Sequence, residues 1–340
     1  MFRFRGDRAR AEFRRFAPGI ALLGLVGGVA RLVASTVPGA NYLLLAIVAG
    51  VVLANVVGVP EWAEPGVATH GLLLGAGIVL MGARISLAAV VDAGPRLLVL
   101  VLGMVAFTLG LTELLARTAF GLRGRLATLL AAGLSVCGVS AVVAVAGAIR
   151  ADSEDVTYVV ATVLLVDAVT LFLYPVAGEL LALPARTFGL WAGVSMLSTG
   201  PVAAAGFAYG DAAGQWAVVT KLTRNVLIGV VVVLYSAIYL RPSASGVGGS
   251  LRQLWTTFPK FVLGFVAMAV VANAGLLSAG QITHLTNAYR WCFLFAFAGL
   301  GLDVRLSKLR AAGLRPAGVA FVTLGVASAV ALAAVTALFG

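Results

Sequence analysis

The chain has 340 residues, of which 61% are apolar and 11% are charged, less than half the roughly 25% charge of an ordinary soluble domain. So little charge cannot cover a water-facing surface of this size, which excludes a soluble globular protein. The formal net charge of +11 would suit a nucleic-acid binder, but the basic residues sit in short connectors between apolar stretches, where they signal topology rather than track phosphates.

In chain order, six arginines (Arg3, Arg5, Arg8, Arg10, Arg14, Arg15) precede the first apolar run. The Arg14-Arg15-Phe16 step has the look of a twin-arginine export signal, but the simpler reading is a basic cytoplasmic N-terminus, residues 1–15, ahead of the first span. A span needs about 20 mostly apolar residues. That ruler places spans near 16–36, 42–59, 67–83, 97–118, 125–149, 156–178, 187–208, 216–239, 258–275, 286–302 and 317–339. The expected fold is therefore all-α, a polytopic transmembrane bundle of about eleven spans, with residues 16–340 forming a single transmembrane domain.

The charge distribution orients it. With the N-terminus inside, cytoplasmic segments hold seventeen basic residues: the six at the start, Arg117, Arg123, Arg125, Arg186, Arg241, Arg252, Lys260, Arg305, Lys308, Arg310 and Arg315. External connectors hold three, Arg84, Arg96 and Arg150, and Arg31, Lys221, Arg224 and Arg290 fall within spans. This bias predicts a cytoplasmic N-terminus and an odd number of spans in the cell membrane. One recurrence accompanies it: GARISLAAVVDAGPR from Gly82 and GLDVRLSKLRAAGLR from Gly301 match at five of fifteen positions without gaps. Seven spans separate them, so they face opposite sides of the membrane, as inverted repeats require.

Two apolar segments carry polar, helix-breaking content. Gly133–Gly147 holds Ser135, Cys137, Gly138 and Ser140 at its centre. Gly193–Gly206 holds Ser195 and then Ser198-Thr199-Gly200-Pro201, a hydroxyl cap followed by proline in the first turn. A start signal inside a span predicts a discontinuous helix, whose exposed N–H groups can hold an anion. A kinked helix with small residues for close packing is the plainer alternative. Lys221 and Arg224, three apart on one helix face, lie beside Thr220, Thr223 and Asn225. A cation near the bilayer centre costs roughly 2.5 to 3.5 kcal/mol on insertion scales, so something electronegative must face this pair. Asp167, within the sixth span, is one candidate and a bound anion is the other. Pairing with Asp167 would make a structural or proton-coupled ion pair; otherwise the cations would floor an anion site. Glu113 and Arg117 read as an i,i+4 pair, and Asp152, Glu154 and Asp155 as a solvated turn.

Other classes lack their residues. Cys137, Cys292, His70 and His284 show no metal-ligand spacing, and no cofactor is expected. The three lysines are followed by Leu222, Phe261 and Leu309, so no phosphate-binding loop ending in Gly-Lys-Ser/Thr exists for ATP. Neither an HExxH metalloprotease motif nor the GxGD or GxSG of intramembrane proteases occurs.

At Ser135-Val136-Cys137-Gly138-Val139-Ser140-Ala141-Val142 the chain resembles the YeiH-like membrane proteins, labelled sulfate exporters, which read SICGASAI there. Phe172-Leu173-Tyr174-Pro175 matches that family's FLYP, and Lys221-Leu222-Thr223-Arg224 its KLTR. Gly82 to Leu87 matches GxRxSL, and Gly301 to Gly313 a spaced Gly-Leu pattern near the end. These matches run in the family's order from the second span onward. The resemblance implies a transporter related to the bile-acid–sodium symporters and NhaA-type antiporters, in which two broken helices cross at mid-membrane. One departure stands out: where the family carries SIHEVAQVVAAG, with a His and a Glu, this chain reads SMLSTGPVAAAG over Ser195–Gly206.

Together these features predict a secondary transporter, not an enzyme, that moves a small anionic solute such as sulfate, sulfite or an organosulfonate by alternating access. A channel or an integral membrane enzyme is the alternative. Its site is expected among Ser135, Cys137, Gly138, Ser140, Ser195, Ser198, Thr199, Pro201, Lys221 and Arg224, with Asp167 for coupling or ion pairing. The expected partners are the solute and the lipid bilayer, with a homo-oligomer left open and no nucleic acid. The sequence does not name the solute.

Overall fold

The computed structural model describes residues 3–37, 40–122, 124–239, 259–309 and 313–340, with the side chains of 3–14, 308 and 309 left aside. Of the residues behind the predicted orientation, Arg123, Arg241, Arg252 and Arg310 lie outside this set. The described residues are mostly helical, without a strand. In chain order the helices are α1 (Arg3–Thr36), α2 (Tyr42–Val56), α3 (Glu64–Val67), α4 (His70–Met81), α5 (Leu87–Leu114), α6 (Arg125–Ala132), α7 (Val139–Ile149) and α8 (Ser153–Leu180). Then come α9 (Ala185–Ser195), α10 (Thr199–Tyr209), α11 (Asp211–Asn225), α12 (Ile228–Tyr239), α13 (Phe261–Asn273), α14 (Ala279–Asp303), α15 (Leu306–Leu309) and α16 (Leu314–Phe339).

Helix occupies every one of the eleven expected stretches. Six of the resulting helical runs are long and apolar enough to cross a membrane: Arg15–Thr36, Glu64–Arg84, Leu87–Ala119, Ser153–Leu180, Asp211–Tyr239 and Leu314–Phe339. Tyr42–Val56, Arg125–Cys137, Val139–Ile149 and Phe261–Asn273 are shorter apolar helices. Large apolar side chains such as Leu25, Val99, Leu173, Val230 and Ile238 stand exposed along these runs. A helix whose outer face is apolar suits hydrocarbon rather than water. The chain is a polytopic membrane helix bundle.

It divides into two compact units, Met1–Leu87 with Phe261–Leu306, and Ala88–Lys260 with Ser307–Gly340. In the first, α14 packs closely on both α2 and α4, while α1 lies on α2 and α3, and α13 on α4. Glycine permits the closest approach. A Cβ on Gly301 would sit 2.3 Å from the Ile47 carbonyl oxygen of α2, and one on Gly82 would sit 2.6 Å from the Phe265 carbonyl oxygen of α13. Small residues at such crossings let backbones touch where no hydrophobic drive between helices exists.

The same unit gives the sequence recurrence a physical form. Helices α2 and α13 begin 219 residues apart, at Tyr42 and Phe261, the offset that relates Gly82 to Gly301. Near the end of α2, the Asn55 amide donates to the Val304 carbonyl at 2.8 Å and accepts from the Leu306 N–H at 2.8 Å. At the end of α13, the Asn273 amide donates to the Ile85 carbonyl at 2.8 Å and accepts from the Leu87 N–H at 3.2 Å. Ile85 and Leu87 are 219 residues from Val304 and Leu306, so each helix clamps the segment that follows the other's neighbour.

In the second unit, α11 packs between α9 and α10, with α8 against α10 and α16 against α8 and α9. The interrupted helices recur at a different offset. Helices α6 and α9 begin 60 residues apart at Arg125 and Ala185, and α7 and α10 end 60 apart at Ile149 and Tyr209. Each pair is followed by a long helical run, Ser153–Leu180 or Asp211–Tyr239. One set of elements therefore ends with its interrupted helix and following span, and the other begins with them. That change of order confines the recurrence at 219 to the stretch from α2 to the start of α5 and its counterpart from α13 onward.

Candidate functional site

The second unit holds two helix interruptions that meet. The first arises at Gly133–Cys137, where a π-helical turn carries the Gly138 N–H back five residues to the Gly133 carbonyl at 2.9 Å. Gly138 then adopts φ 58°, ψ −129°, a conformation open only to glycine, and α7 starts afresh. In the second, Met196 (ψ 158°) and Ser198 (φ −97°, ψ 149°) are extended, and α10 begins at Thr199. The proposed hydroxyl cap position is thus occupied by Ser198, although its side chain makes no capping bond; Pro201 falls in the first turn, where a missing N–H does no harm. The two breaks touch: a Cβ on Gly138 would lie 2.2 Å from Ser198 Oγ.

Each break leaves unpaired carbonyls where the first half-helix ends and unpaired N–H groups where the second begins. Lys221 and Arg224, one turn apart on α11, take the carbonyls. Lys221 Nζ donates to Val136 O at 2.8 Å and Met196 O at 3.2 Å. Arg224 donates from Nε to Ser135 O at 2.7 Å, from Nη1 to Met196 O at 2.7 Å and from Nη2 to Leu134 O at 2.6 Å. Both side chains are buried, at 0% and 1% exposure. Cations at helix C-termini meet the negative end of the helix dipole, so two half-helices supply the electronegative partner that the sequence demanded.

Asp167, 4% exposed on α8, serves the opposite pole. Its Oδ1 accepts the Ser198 N–H at 3.0 Å, which places a carboxylate at the N-terminus of α10. Among the described residues no salt bridge joins it to Lys221 or Arg224. The direct ion pair considered from sequence is absent, and so is the bare cationic floor, because the backbone satisfies the cations.

The remaining site residues divide. Ser135 Oγ donates within its own helix to Ala132 O at 3.3 Å, and Cys137 Sγ lies 3.9 Å from Thr199 Oγ1. Ser195 turns away from the crossing: it donates to Trp191 O, and its Oγ accepts from Tyr174 Oη at 2.9 Å. Tyr174 Oη also lies 3.0 Å from Ser328 Oγ, within hydrogen-bond reach, and the ring stacks on Trp191, so this cluster fixes α9 against α8 and α16. Ser140 is exposed on α7, while Ser198, Thr199 and Gly200 are half-buried. The first-turn N–H groups of Thr199 and Gly200 find no acceptor among the described residues. Leu197 and Ser198 occupy the place of the resembling family's His and Glu.

Sequence reading missed Asn225 as a site residue. Its Nδ2 donates to Thr199 Oγ1 at 3.1 Å, and it is 2% exposed with no partner for Oδ1 among the described residues. Its position one residue after Arg224 was the available signal. A second polar cluster in this unit extends the Glu113–Arg117 pair: Glu113 Oε1 accepts from Thr128 Oγ1 at 3.0 Å and Tyr235 Oη at 2.9 Å, which ties α5 to α6 and α12.

Comparison with known proteins gives this arrangement its setting. A family model described as "Conserved hypothetical protein 698" matches residues 18–320. A "UPF0324 membrane protein" of Nitratidesulfovibrio vulgaris is 36% identical over 333 residues, covering 94% of this chain and 92% of that protein. The "UPF0324 membrane protein TauZ" of Paracoccus pantotrophus is 32% identical over 301 residues, covering 87% and 88%. The "UPF0324 inner membrane protein YeiH" of Escherichia coli K12 is 31% identical over 310 residues, covering 88% of each. No solved structure matches. The chain is a member of the conserved hypothetical protein 698 family, the YeiH-like UPF0324 membrane proteins.

Proposed function

We propose that this chain is a secondary transporter of a small anionic solute, such as sulfate, sulfite or an organosulfonate, that binds where the two interrupted helices touch. One observation carries the reading: Lys221 and Arg224 cap the carbonyl ends of the half-helices, which leaves the half-buried Thr199 and Gly200 N–H groups at the start of α10 for an anion. Two buried cations against one buried carboxylate, Asp167, add a formal excess of one positive charge. Discontinuous helices with N-termini aimed at anionic groups are the recurring device of secondary transporters. In those systems the carbonyl ends bind the coupling cation; here the protein's own ammonium and guanidinium occupy them, so transport needs no sodium ion at this point.

The chain then lies in the cell membrane with its basic N-terminus in the cytoplasm, and works by alternating access rather than by catalysis. Purified protein in liposomes loaded with sulfate, sulfite or a small organosulfonate tests this. Saturable, sodium-independent counterflow of one anion is expected. Asp167→Asn keeps an acceptor for the Ser198 N–H but removes the charge, and is expected to change the flux about tenfold or more while leaving Tm nearly unchanged. Non-saturating flux would make the protein a channel, and no flux with any anion would sink the transport reading.

A further inference from the structure

The first unit carries a separate cavity lined by two arginines. Arg31 on α1, Tyr42 at the start of α2, and Asn287, Arg290 and Trp291 on α14 surround a cavity of about 390 Å³, within the range of small-ligand sites. The Arg31 guanidinium lies 4.6 Å from the Trp291 ring centre and 5.7 Å from that of Tyr42. Stacking of this kind holds the planar fork in one orientation and leaves its edge free for two-point binding of a phosphate. No ion pair engages Arg31 among the described residues.

The surroundings say where this pocket lies. Helix α14 opens with a Ser278–Gln281 capping box and continues through exposed Gln281, Thr283, His284 and Asn287, and is apolar with buried Phe293, Leu294 and Phe297 thereafter. Asn287 to Trp291 is therefore where the helix passes from exposed polar residues to buried apolar ones, a setting that suits the membrane interface where tryptophan and tyrosine collect. On α1, Val29, Leu32 and Val33 beside Arg31 are exposed, so the rim next to the cation is apolar. A soluble anion gains nothing from such a rim. An acyl chain does.

We infer that Arg31 and Arg290 bind the phosphodiester of an anionic membrane phospholipid, with Asn287 as an added polar contact, Tyr42 and Trp291 flanking the headgroup, and the α1 rim taking the acyl chains. Basic pockets between membrane helices take lipid headgroups by this chemistry. The inference stands apart from the transport reading, since none of these residues belongs to the helix crossing.

Native mass spectrometry and thermal unfolding of the purified full-length protein, titrated with phosphatidylglycerol, phosphatidylcholine or inorganic phosphate, test it. Phosphatidylglycerol is expected to be retained about tenfold better than phosphatidylcholine and to raise Tm, with inorganic phosphate inert. Arg31→Gln and the Arg31→Gln, Arg290→Gln double variant should lose that preference, whereas Arg84→Gln, an exposed arginine elsewhere in the same unit, should keep it. Arg31 is itself exposed, so the single variant decides the matter if the double variant does not fold. Wild-type preference in Arg31→Gln, or equal protection by inorganic phosphate, overturns the assignment.

Discussion

The Asn55 and Asn273 joints of the first unit and the Lys221–Arg224 cluster of the second address one problem with different chemistry. In both, backbone groups leave a helix and must find partners. At the joints, one neutral amide donates to a carbonyl and accepts an N–H, because the connecting segments Ile85–Leu87 and Val304–Leu306 offer one of each. At the crossing, two half-helices end close together and present four carbonyls, those of Leu134, Ser135, Val136 and Met196. A neutral amide cannot balance two converging dipole ends; two cations can. The difference teaches that charge enters this membrane interior where helix termini of one sign converge.

The sharpest way to break the comparison is Arg224→Ala. It strips the Leu134 and Ser135 carbonyls of their donor in a buried place, each worth about 1–3 kcal/mol when orphaned, and leaves Met196 O to Lys221 alone, so loss of about 4 kcal/mol or failure to yield monodisperse protein is expected. Arg224→Lys should recover part of it, since charge persists while the three-armed donor set does not. A Tm for Arg224→Ala close to wild type would show that solvent already reaches those carbonyls.

Gly138→Ala comes next. The new Cβ meets Ser198 Oγ, and the backbone conformation itself costs an ordinary residue about 1–3 kcal/mol, so a total near 3 kcal/mol is expected from thermal unfolding. Adding Ser198→Gly should return the collision part and leave the backbone part. If the double variant is no better than the single, the two breaks do not touch.

The smallest effect belongs to the joints. Asn55→Ala and Asn273→Ala each remove a two-way amide clamp, at about 1–2 kcal/mol, and the repeat relationship requires similar values for both. Markedly unequal losses in Tm would mean that the clamps are alike in geometry but not in load.

Much of this was legible in the chain. Hydrophobic run length located the apolar helical stretches, because hydrocarbon admits few alternatives to a helix of fixed minimum length. Gly138 and the Ser198–Pro201 segment announced the two breaks through local backbone chemistry, and Lys221 and Arg224 announced themselves by their cost. The partners of those cations were not legible. Backbone carbonyls carry no sequence signature, so the choice between Asp167 and an anion omitted the answer the fold supplies. Ser195 turned away from the crossing for a related reason: closeness in sequence to a break does not say which way a helix face turns.

The sequence by itself determined the membrane setting, the helical class and the points of interruption, since each follows from transfer energies and backbone preferences that act over a few residues. Only the tertiary structure decided that the interruptions touch at Gly138 and Ser198, that α11 delivers its cations to both C-terminal ends, and that Asp167 takes the N-terminal one. Those are contacts between segments as much as 90 residues apart, and their energies depend on dipole ends converging in space, which no local pattern encodes.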